Sequence, residues 1–254
     1  MRNCSSRPSG RVATRRFLCN MPKVNFESLK SEPKEAIVVS FDLSGFSAFC
    51  NHPNAHVVIP RFVSDLFEEL NRFFMGVIED LFASGRSNNG KLQEPNFIKY
   101  TGDGAIMIWL ANDSGEFSDQ FCTDLVIAMR ALQTRIAIIV PEWEKKWRVV
   151  GLPRRARFGI SAGLVYALRE PSSGIFQNSP ADYVGYCINL AVRLQDHCRE
   201  VGFLVHETVH PNISGLVRLE ALGMKGTQVE PVLAFETDLK NVVDGVFKTK
   251  FRRS

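Results

Sequence analysis

Residues 97–110 read FIKYTGDGAIMIWL, and this stretch decides the fold. Two apolar runs, at 97–100 and 105–110, flank the turn sequence TGDG. Apolar runs on either side of an Asp-Gly pair are the strongest short-range signal for a β-hairpin. We therefore predict a hairpin that carries Asp103 at its tip.

Further strands and helices are predicted on both sides of this hairpin. Apolar residues at helical spacing indicate long amphipathic helices, and short β-branched runs indicate buried strands. The predicted elements are strands at 36–41, 157–163, 203–205, 217–219 and 246–251, helices at about 59–83, 118–147 and 184–199, and a loop at 84–95. Pro141 is expected to interrupt the second helix, and the strand at 157–163 is expected to end at its last glycine.

The order of these elements is β-α-β-β-α-β, followed by a helix and more strands. This order is typical of a ferredoxin-like α+β domain with a C-terminal extension. In such a domain, helices pack on one face of a mostly antiparallel sheet. We predict a flexible basic tail at residues 1–33 and one folded domain at residues 34–254.

Basic charge is concentrated at the N-terminus. The chain has a formal net charge of +4, but residues 1–21 contain five arginines and no acidic residue. Of the 31 Lys and Arg residues, 26 therefore remain against 27 Asp and Glu, so the rest of the chain has a net charge of −1. A near-neutral body argues against a nucleic-acid partner. An Arg- and Ser-rich start also fits an organelle transit peptide, but we favour a flexible tail or translation from Met21.

The hydropathy and the cysteine pattern indicate a cytoplasmic protein. No stretch approaches the ~20 apolar residues that a membrane span needs, so no membrane partner is expected. The six cysteines form no C-x-x-C pair, and we predict that they are free thiols in a reducing compartment.

Two acidic residues stand out by their position in the predicted fold. Asp42 ends the first strand and Asp103 lies in the hairpin turn, so both are expected at one edge of the sheet. Two close carboxylates repel each other unless a cation lies between them, and hard oxygen ligands favour Mg²⁺ or Mn²⁺. Each acid also has a simpler interpretation, because Asp42 could cap a helical turn and Asp103 could serve the turn itself.

A second group of polar residues lies on or near the helix predicted at 184–199. Asn189 and Arg193 share a helix face by the i, i+4 rule, and Asp182 is expected near the helix start. An amide and a guanidinium directed at one point suit a ribose and an anionic phosphorus centre. The simpler alternative is a solvated helix with an acid near its N-terminus.

Four segments together resemble the class III nucleotide cyclases. They are VSFDLSGFS at 39–47, IKYTGDG at 98–104, RFGISAG at 157–163 and DYVGYCINLAVR at 182–193. In that family the first two segments carry the metal ligands, and the last carries the asparagine and arginine that act in the transition state. The resemblance implies that residues 34–254 are a nucleotide cyclase catalytic domain.

The resemblance implies a metal and phosphate site in the first half of the chain. Asp42 and Asp103 would bind two divalent cations, Mg²⁺ or Mn²⁺, and the Leu43 carbonyl would add a backbone ligand. Backbone N–H groups would bind the substrate phosphates, and a small glycine-containing loop suits that role. The residues of this loop are Ser44, Gly45 and Phe46.

The resemblance also implies the remaining contacts with a nucleoside triphosphate. Arg157 would reach the triphosphate, Asn189 would orient the ribose, and Arg193 would stabilise the pentavalent phosphorus. The metal acids and the Asn/Arg helix come from opposite subunits in the family, so a homodimer with two composite sites is implied. One position departs from the family pattern, because Val242 aligns with a triphosphate-binding lysine. Lys240 and Lys248 are the two candidate substitutes, and we predict Lys240 as the binding residue.

Lys99 and Asp182 occupy the two base-reading positions of the family. This pair usually indicates adenine, but a lysine donor and an aspartate acceptor suit several base edges. Residues 41–50 and 99–105 resemble the stand-alone pyrimidine cyclases of Pycsar antiphage systems. That resemblance implies cyclic UMP or cyclic CMP as the messenger in bacterial antiviral defence, with a separate effector protein that reads it.

The size of the base pocket is predicted from three tyrosines. Tyr100, Tyr183 and Tyr186 lie in or beside the base-reading segments, where their rings would favour a pyrimidine; ordinary packing is the alternative. We favour UTP as the substrate, CTP next, and ATP, giving cyclic AMP, as the alternative.

Three other classes of protein fit the sequence less well than a class III nucleotide cyclase. A nucleotide-binding pseudoenzyme is disfavoured because the metal acids and the Asn/Arg pair are all present. A diguanylate cyclase is disfavoured because the hairpin lacks its GGDEF signature, and an RNA-recognition module because its basic-aromatic motif is missing.

Overall fold

The structure is a computed structural model, and it describes most of the predicted domain. The described residues are 32–53, 55–83, 93–112, 115–168, 182–224, 229–240, 242 and 250–253. The predicted tail falls outside them except for its last two residues, and so does most of the predicted loop at 84–95.

Strands and helices alternate along the described chain. In order, they are β1 (Lys34–Ser44), α1 (Phe46–Cys50), α2 (Ala55–Ala83), β2 (Phe97–Tyr100), β3 (Ala105–Leu110), α3 (Asp119–Trp147), β4 (Arg155–Leu168), β5 (Asp182–Val184), α4 (Tyr186–His197), β6 (Phe203–His206), β7 (Leu216–Leu222), β8 (Val229–Phe235), α5 (Glu236–Leu239) and β9 (Phe251–Arg253). A 3₁₀ turn at Glu207–Val209 follows β6.

The strands of the described residues form one sheet with β1 and β4 near its centre. The order is β2-β3-β1-β4-β6-β8-β7-β9, and β5 pairs with β4 outside this path. The pairing of β4 with β6 is parallel, and the other described pairs are antiparallel. The predicted α+β fold with a mostly antiparallel sheet is therefore confirmed.

Helices cover both faces of the sheet, so the expectation of one covered face is wrong. In β1, the side chains of Ile37 and Val39 join the core cluster formed with α2 and α3. Val38, which points to the opposite face, packs in a cluster with Cys187 and Ala191 of α4. A strand buried on both faces is apolar at consecutive positions, which explains the unbroken apolar run that marked β1 in the sequence.

Helix α4 lies very close to β4 because β4 has a glycine at the crossing. A Cβ atom at Gly159 would collide with the carbonyl oxygen of Ala191 and with the backbone nitrogen of Gln195. Only glycine allows this contact between a strand and a helix backbone. The contact fixes where the polar face of α4 lies relative to β4.

Several predicted boundaries are wrong. Helix α3 runs through Pro141 without interruption, and α2 starts at Ala55, which places Pro60 inside it. Strand β4 continues past Gly163 to Leu168, because its last residues pair with β5, which the sequence did not predict. Strand β8 was also missed. Residues 246–249 of the last predicted strand lie outside the described residues, and β9 begins at Phe251, where the predicted strand ends.

The described cysteines are free thiols, as the sequence predicts. They are Cys50, Cys122, Cys187 and Cys198, and burial raises the pKa of Cys122 and Cys187 to about 11. Among the described helices, none combines the length and the apolar character that crossing a bilayer requires.

Candidate functional site

Asp42 and Asp103 meet at one end of the sheet. Strand β3 pairs with β1 up to Phe41 and Ala105, so the hairpin turn that precedes β3 lies beside the residue that follows Phe41. The carboxyl groups of Asp42 and Asp103 lie close enough for Asp42 to raise the pKa of Asp103, both through a hydrogen bond and through its charge. Two carboxyls can share a hydrogen bond only if one of them holds a proton.

The proton on this pair is held unusually tightly. Burial, the hydrogen bond to Asp42 and the charge of Asp42 together raise the pKa of Asp103 from 3.8 to about 7. The N–H groups of Leu43 and Asp103 donate to the carboxyl and oppose the rise. A half-buried acid pair that keeps a proton near neutral pH is a place where a cation would relieve repulsion.

Gly104 allows the hairpin turn to approach β1 this closely. A Cβ atom at position 104 would collide with the carbonyl oxygen of Phe41 and touch the Cα atom of Asp42. A larger residue would therefore move the turn, and Asp103 with it, away from Asp42. Local backbone packing thus sets the separation of the two carboxyl groups.

The donors at this point fit a hard divalent cation. The structure brings together two carboxylates, and Leu43, whose side chain is buried, supplies its backbone beside them. Oxygen donors of this kind suit Mg²⁺ and Mn²⁺. Within the described part of the chain, no group of three or more His, Cys, Asp or Glu side chains could hold a metal. Further ligands would have to come from the backbone, water or a substrate.

Arg157 lies on the other side of Asp42. The two residues are direct partners in the pairing of β1 with β4, and the guanidinium forms an ion pair with the Asp42 carboxylate. The Arg157 side chain is 12% exposed, and its buried Nε finds no hydrogen-bond partner among the described residues. Asp42 therefore contacts a neighbouring acid and a neighbouring base at the same time.

The predicted phosphate-binding loop connects β1 to α1. Ser44 is the last residue of β1, Gly45 precedes the helix, and Phe46 is its first residue. The Phe46 ring stacks on Phe62 of α2, with ring centroids 6.2 Å apart. Because the ring is anchored on α2, any contact of Phe46 with a phosphate would come from its backbone.

Asn189 and Arg193 lie on α4, as predicted. Asn189 is exposed and Arg193 is half-buried. No residue that the structure describes hydrogen-bonds the amide of Asn189 or the guanidinium of Arg193. Asp182 is not at the helix start but in β5, and the backbone of Gly185 lies between β5 and α4.

The two predicted base-reading residues are brought together by β2 and β5. The Lys99 ammonium forms an ion pair with the Asp182 carboxylate, and both side chains are partly exposed. Beside them, the ring of Tyr183 packs edge-on against Phe97, with centroids 5.3 Å apart. The donor and the acceptor therefore sit at one exposed point next to an aromatic ring.

The three tyrosines expected near the base are not equivalent. Tyr100 packs on Phe67 of α2, with ring centroids 4.2 Å apart. Neighbouring residues in a strand point to opposite faces, so Tyr100 and Lys99 face away from each other. The expectation that Tyr100 crowds the base position is therefore wrong. Tyr183 lies beside Lys99, whereas the hydroxyl of Tyr186 donates to Glu230 of β8.

Among the described residues, no hydrogen bond or ion pair joins the two halves of the candidate site within one chain. Asp42 is paired with Arg157 near the start of β4, whereas α4 begins beside Ser161, whose hydroxyl donates to the Cys187 carbonyl at 2.6 Å. From there α4 runs back along β4, with the backbone of Ala191 and Gln195 against Gly159. Within the described part of one chain, the amide of Asn189 therefore has no contact with the paired carboxylates.

The predicted triphosphate lysine has a different surrounding. Lys240 follows α5 and lies 3.8 Å from Glu236, with 69% of its side chain exposed. Val242, the position aligned with the family lysine, packs against the core cluster of β6, β7 and β8. The structure does not bring Lys240 into contact with the other predicted site residues.

One polar cluster beside α4, with Glu230 and His206 at its buried centre, was not predicted. It consists of Tyr186, Glu230, His206 and Thr208, which come from three separate parts of the chain. No local sequence pattern joins these residues, so only the folded sheet reveals that they meet.

Comparison with solved structures identifies the fold. No family model and no curated protein matches the chain. The adenylyl cyclase CyaB from P. aeruginosa is 19% identical, with a TM-score of 0.54 over 81% of this chain and 96% of that one. The guanylyl cyclase Cya2 is 15% identical, with a TM-score of 0.55 over 82% and 94%.

A third solved structure has the same fold. A bacterial light-regulated adenylyl cyclase is 16% identical, with a TM-score of 0.52 over 83% of this chain and 53% of that one. At identities this low, the three likenesses establish the fold and not the activity. The chain therefore has the fold of adenylyl and guanylyl cyclase catalytic domains.

Proposed function

We propose that the protein is a class III nucleotide cyclase. It converts a nucleoside triphosphate into the 3′,5′-cyclic monophosphate and pyrophosphate. The observation that carries the proposal is the close approach of Asp42 and Asp103, which the packing of the hairpin turn against the end of β1 brings about. Paired carboxylates of this kind are suited to hold cations for phosphoryl transfer.

In this proposal Asp42 and Asp103 would hold two divalent cations, Mg²⁺ or Mn²⁺, with the carbonyl of Leu43 as a further ligand. The cations would supply charge neutralisation on the triphosphate. Because metal ligands must be deprotonated, the two carboxyl groups would have to give up the proton that they share.

Substrate phosphates are bound by backbone and side-chain donors around β1. The N–H groups of Ser44, Gly45 and Phe46 donate to phosphate oxygens. Arg157 exchanges its bond to Asp42 for a bond to the triphosphate. A guanidinium serves both partners well, since it matches carboxylate and phosphate geometry. Lys240 reaches the triphosphate from the second subunit.

The reaction joins the ribose 3′-oxygen to the α-phosphorus. Asn189 orients the ribose so that its 3′-hydroxyl faces the α-phosphate. The 3′-hydroxyl passes its proton to solvent water as its oxygen forms the new bond to the α-phosphorus. The bond from this phosphorus to pyrophosphate breaks, and pyrophosphate leaves with the electron pair. Arg193 donates to the oxygens of the pentavalent phosphorus, where charge accumulates.

A homodimer completes each site. Among the described residues of one chain, no hydrogen bond or ion pair joins Asn189 to the paired carboxylates. A two-fold assembly that places α4 of one subunit over Asp42 of the other would bring them together. Each dimer then has two composite sites.

The base is a pyrimidine in our proposal, with UTP preferred and CTP next. Lys99 donates to the base, Asp182 accepts from it, and the ring of Tyr183 beside them limits the pocket to one aromatic ring. The product then serves as a second messenger in antiphage defence and is read by a separate effector protein. ATP is the alternative substrate, since a Lys–Asp pair also suits the edge of adenine.

A nucleotide-binding pseudoenzyme with the same fold is the rival of another class. It would bind a triphosphate without turning it over. The intact set of acids, amide and guanidinium supports catalysis over binding alone.

The direct test incubates the purified protein with each of the four NTPs and Mn²⁺, with products separated by chromatography. We expect a cyclic pyrimidine monophosphate and pyrophosphate, and no product in excess EDTA. Cyclic AMP alone would refute the pyrimidine specificity. Binding without any cyclic product would support the pseudoenzyme.

A further inference from the structure

The cluster beside α4 is a chain of hydrogen bonds that ends on an exposed tyrosine. The Tyr186 hydroxyl donates to Glu230 at 2.8 Å, and His206 Nε2 lies 3.2 Å from the other Glu230 oxygen. Glu230 and His206 are 8% and 7% exposed, whereas Tyr186 is 57% exposed. A buried acid and a buried imidazole therefore hold the hydroxyl of a ring that is largely open to solvent.

The hydrogen bonds assign the proton on the imidazole. His206 Nδ1 accepts from the Thr208 N–H at 3.3 Å, so Nε2 carries the proton and donates to Glu230. The Thr208 hydroxyl is fixed in turn by the backbone carbonyl and N–H of Ala162, both at 3.2 Å. Each Glu230 oxygen thus has a donor, and the cluster is anchored on β4.

Burying the carboxylate of Glu230 costs more free energy than a purely structural role would justify. Burying a carboxylate requires full hydrogen bonding, and a satisfied buried network mainly fixes geometry. The group whose geometry is fixed here is the Tyr186 ring at the first turn of α4.

The Tyr186 ring shares a helix face with the two polar residues of α4. Asn189 and Arg193 follow Tyr186 at i+3 and i+7. Helical side chains lean towards the N-terminus, so the guanidinium of Arg193 extends back over the preceding turns. Burial and Glu230 raise the pKa of Tyr186, and the positive charge of Arg193 opposes this rise, as expected if the two side chains are close.

We propose that Tyr186 is a positioning residue for Arg193. Its ring, held by Glu230 and His206, restricts the guanidinium to the orientation that meets the phosphorus centre. This role rests on the proposed cyclase activity and deepens it, because it assigns a task to residues outside the four sequence motifs.

The test is a kinetic double-mutant cycle on the full-length protein. Tyr186→Phe removes the hydroxyl that Glu230 holds and keeps the ring. We expect kcat to fall about tenfold while KM stays within about twofold, since only a transition-state contact is weakened. In an Arg193→Lys background, the same change should cost no further activity, because the group that Tyr186 positions is gone.

A matched control separates positioning from folding. Glu69 is a buried acid like Glu230, 5% exposed, but it pairs with Arg135 on the opposite side of the sheet. Glu69→Gln should lower the melting temperature and leave kcat unchanged, whereas Glu230→Gln should lower kcat.

Three results would count against the inference. An unchanged kcat in Tyr186→Phe, or equal losses in the wild-type and Arg193→Lys backgrounds, would overturn the role of Tyr186 and leave the cyclase proposal standing. A wild-type protein that forms no cyclic nucleotide would overturn both.

Discussion

The guanidinium of Arg157 forms an ion pair with Asp42, its direct partner across β1 and β4. In the proposed function, these two residues bind different ligands, because Asp42 holds a metal ion and Arg157 holds a phosphate. In the absence of metal and substrate, the positive charge of Arg157 and the negative charge of Asp42 partly neutralise each other. Substrate and metal binding must therefore break this ion pair.

Replacing Arg157 should separate the two binding events. Arg157→Gln should bind Mn²⁺ more tightly than wild type in the absence of nucleotide, since no guanidinium competes for Asp42. Its KM for the triphosphate should rise about tenfold or more, because a charge-assisted hydrogen bond is lost. Electron paramagnetic resonance of free Mn²⁺ measures the first effect and steady-state kinetics the second.

Arg155→Gln is the matched control for this experiment. Arg155 lies two residues earlier on β4, and its side chain donates to the Glu200 carbonyl at 2.5 Å. It should leave Mn²⁺ binding unchanged. Weaker Mn²⁺ binding in Arg157→Gln would contradict the competition.

The proton shared by Asp42 and Asp103 predicts a pH dependence of stability. The pKa of Asp103 rises from 3.8 to about 7 on folding, so the folded chain holds the extra proton between these values. Stability from this group therefore falls as the pH rises from about 4 and is lost above about 7. In EDTA, the melting temperature of Asp103→Asn should be higher than that of the wild type. The difference between the two melting temperatures should grow as the pH rises to 7 and then stay constant.

Excess Mn²⁺ should reverse the order of the melting temperatures, so that the wild type melts at a higher temperature than Asp103→Asn. Cations that bind the carboxylates stabilise only the wild-type chain, so excess Mn²⁺ should raise its melting temperature and not that of Asp103→Asn. Asp65→Asn is the control, since Asp65 lies on α2 beside Arg61 at 3.9 Å. A pH-independent margin between Asp103→Asn and wild type would show that the pair does not share a proton.

The contact between the hairpin turn and β1 should be intolerant of any side chain. Gly104→Ala places a methyl group against the Phe41 carbonyl, so we expect a loss of about 3 kcal/mol and an inactive protein. Gly76→Ala, in an open part of α2, should instead stabilise by up to ~1 kcal/mol. Chemical denaturation measures both, and a neutral Gly104→Ala would contradict the close approach.

The Lys99–Asp182 pair should determine which base is accepted. Lys99→Ala should lower kcat/KM for the preferred triphosphate by about tenfold to a hundredfold, because a charged donor is lost. The same substitution should also make the kcat/KM values for the four NTPs more similar to one another. Lys145→Ala, in the last turn of α3, is the control. If the ratios of kcat/KM between the four NTPs are unchanged in Lys99→Ala, the base does not bind at the Lys99–Asp182 pair.

The sequence was most informative where the fold is encoded locally. The hairpin around Asp103 and the helix that carries Asn189 and Arg193 were predicted because turn residues and helical spacing act over a few positions. Asp42 could be placed beside Asp103 because strand order follows from the order of the elements. The ion pair of Arg157 with Asp42 was missed, since it depends on the register of β1 and β4.

Contacts between distant segments explain the other errors. The continuation of β4 past Gly163 depends on pairing with β5, and the cluster around Glu230 depends on β8, which was not predicted. Tyr100 was placed on the wrong side because its face is set by packing on Phe67. Such contacts are determined by tertiary packing, which overrides local preference.

Complementation between two inactive variants tests the central claim most directly. One variant, Asp103→Asn, lacks a metal acid, and the other, Arg193→Ala, lacks the guanidinium; each alone should form no cyclic nucleotide. If the site is shared between subunits, mixed dimers contain one intact site. The mixture should therefore recover about a quarter of wild-type activity. Failure of the mixture to recover activity, with a wild-type protein that is active under the same conditions, would contradict the shared site.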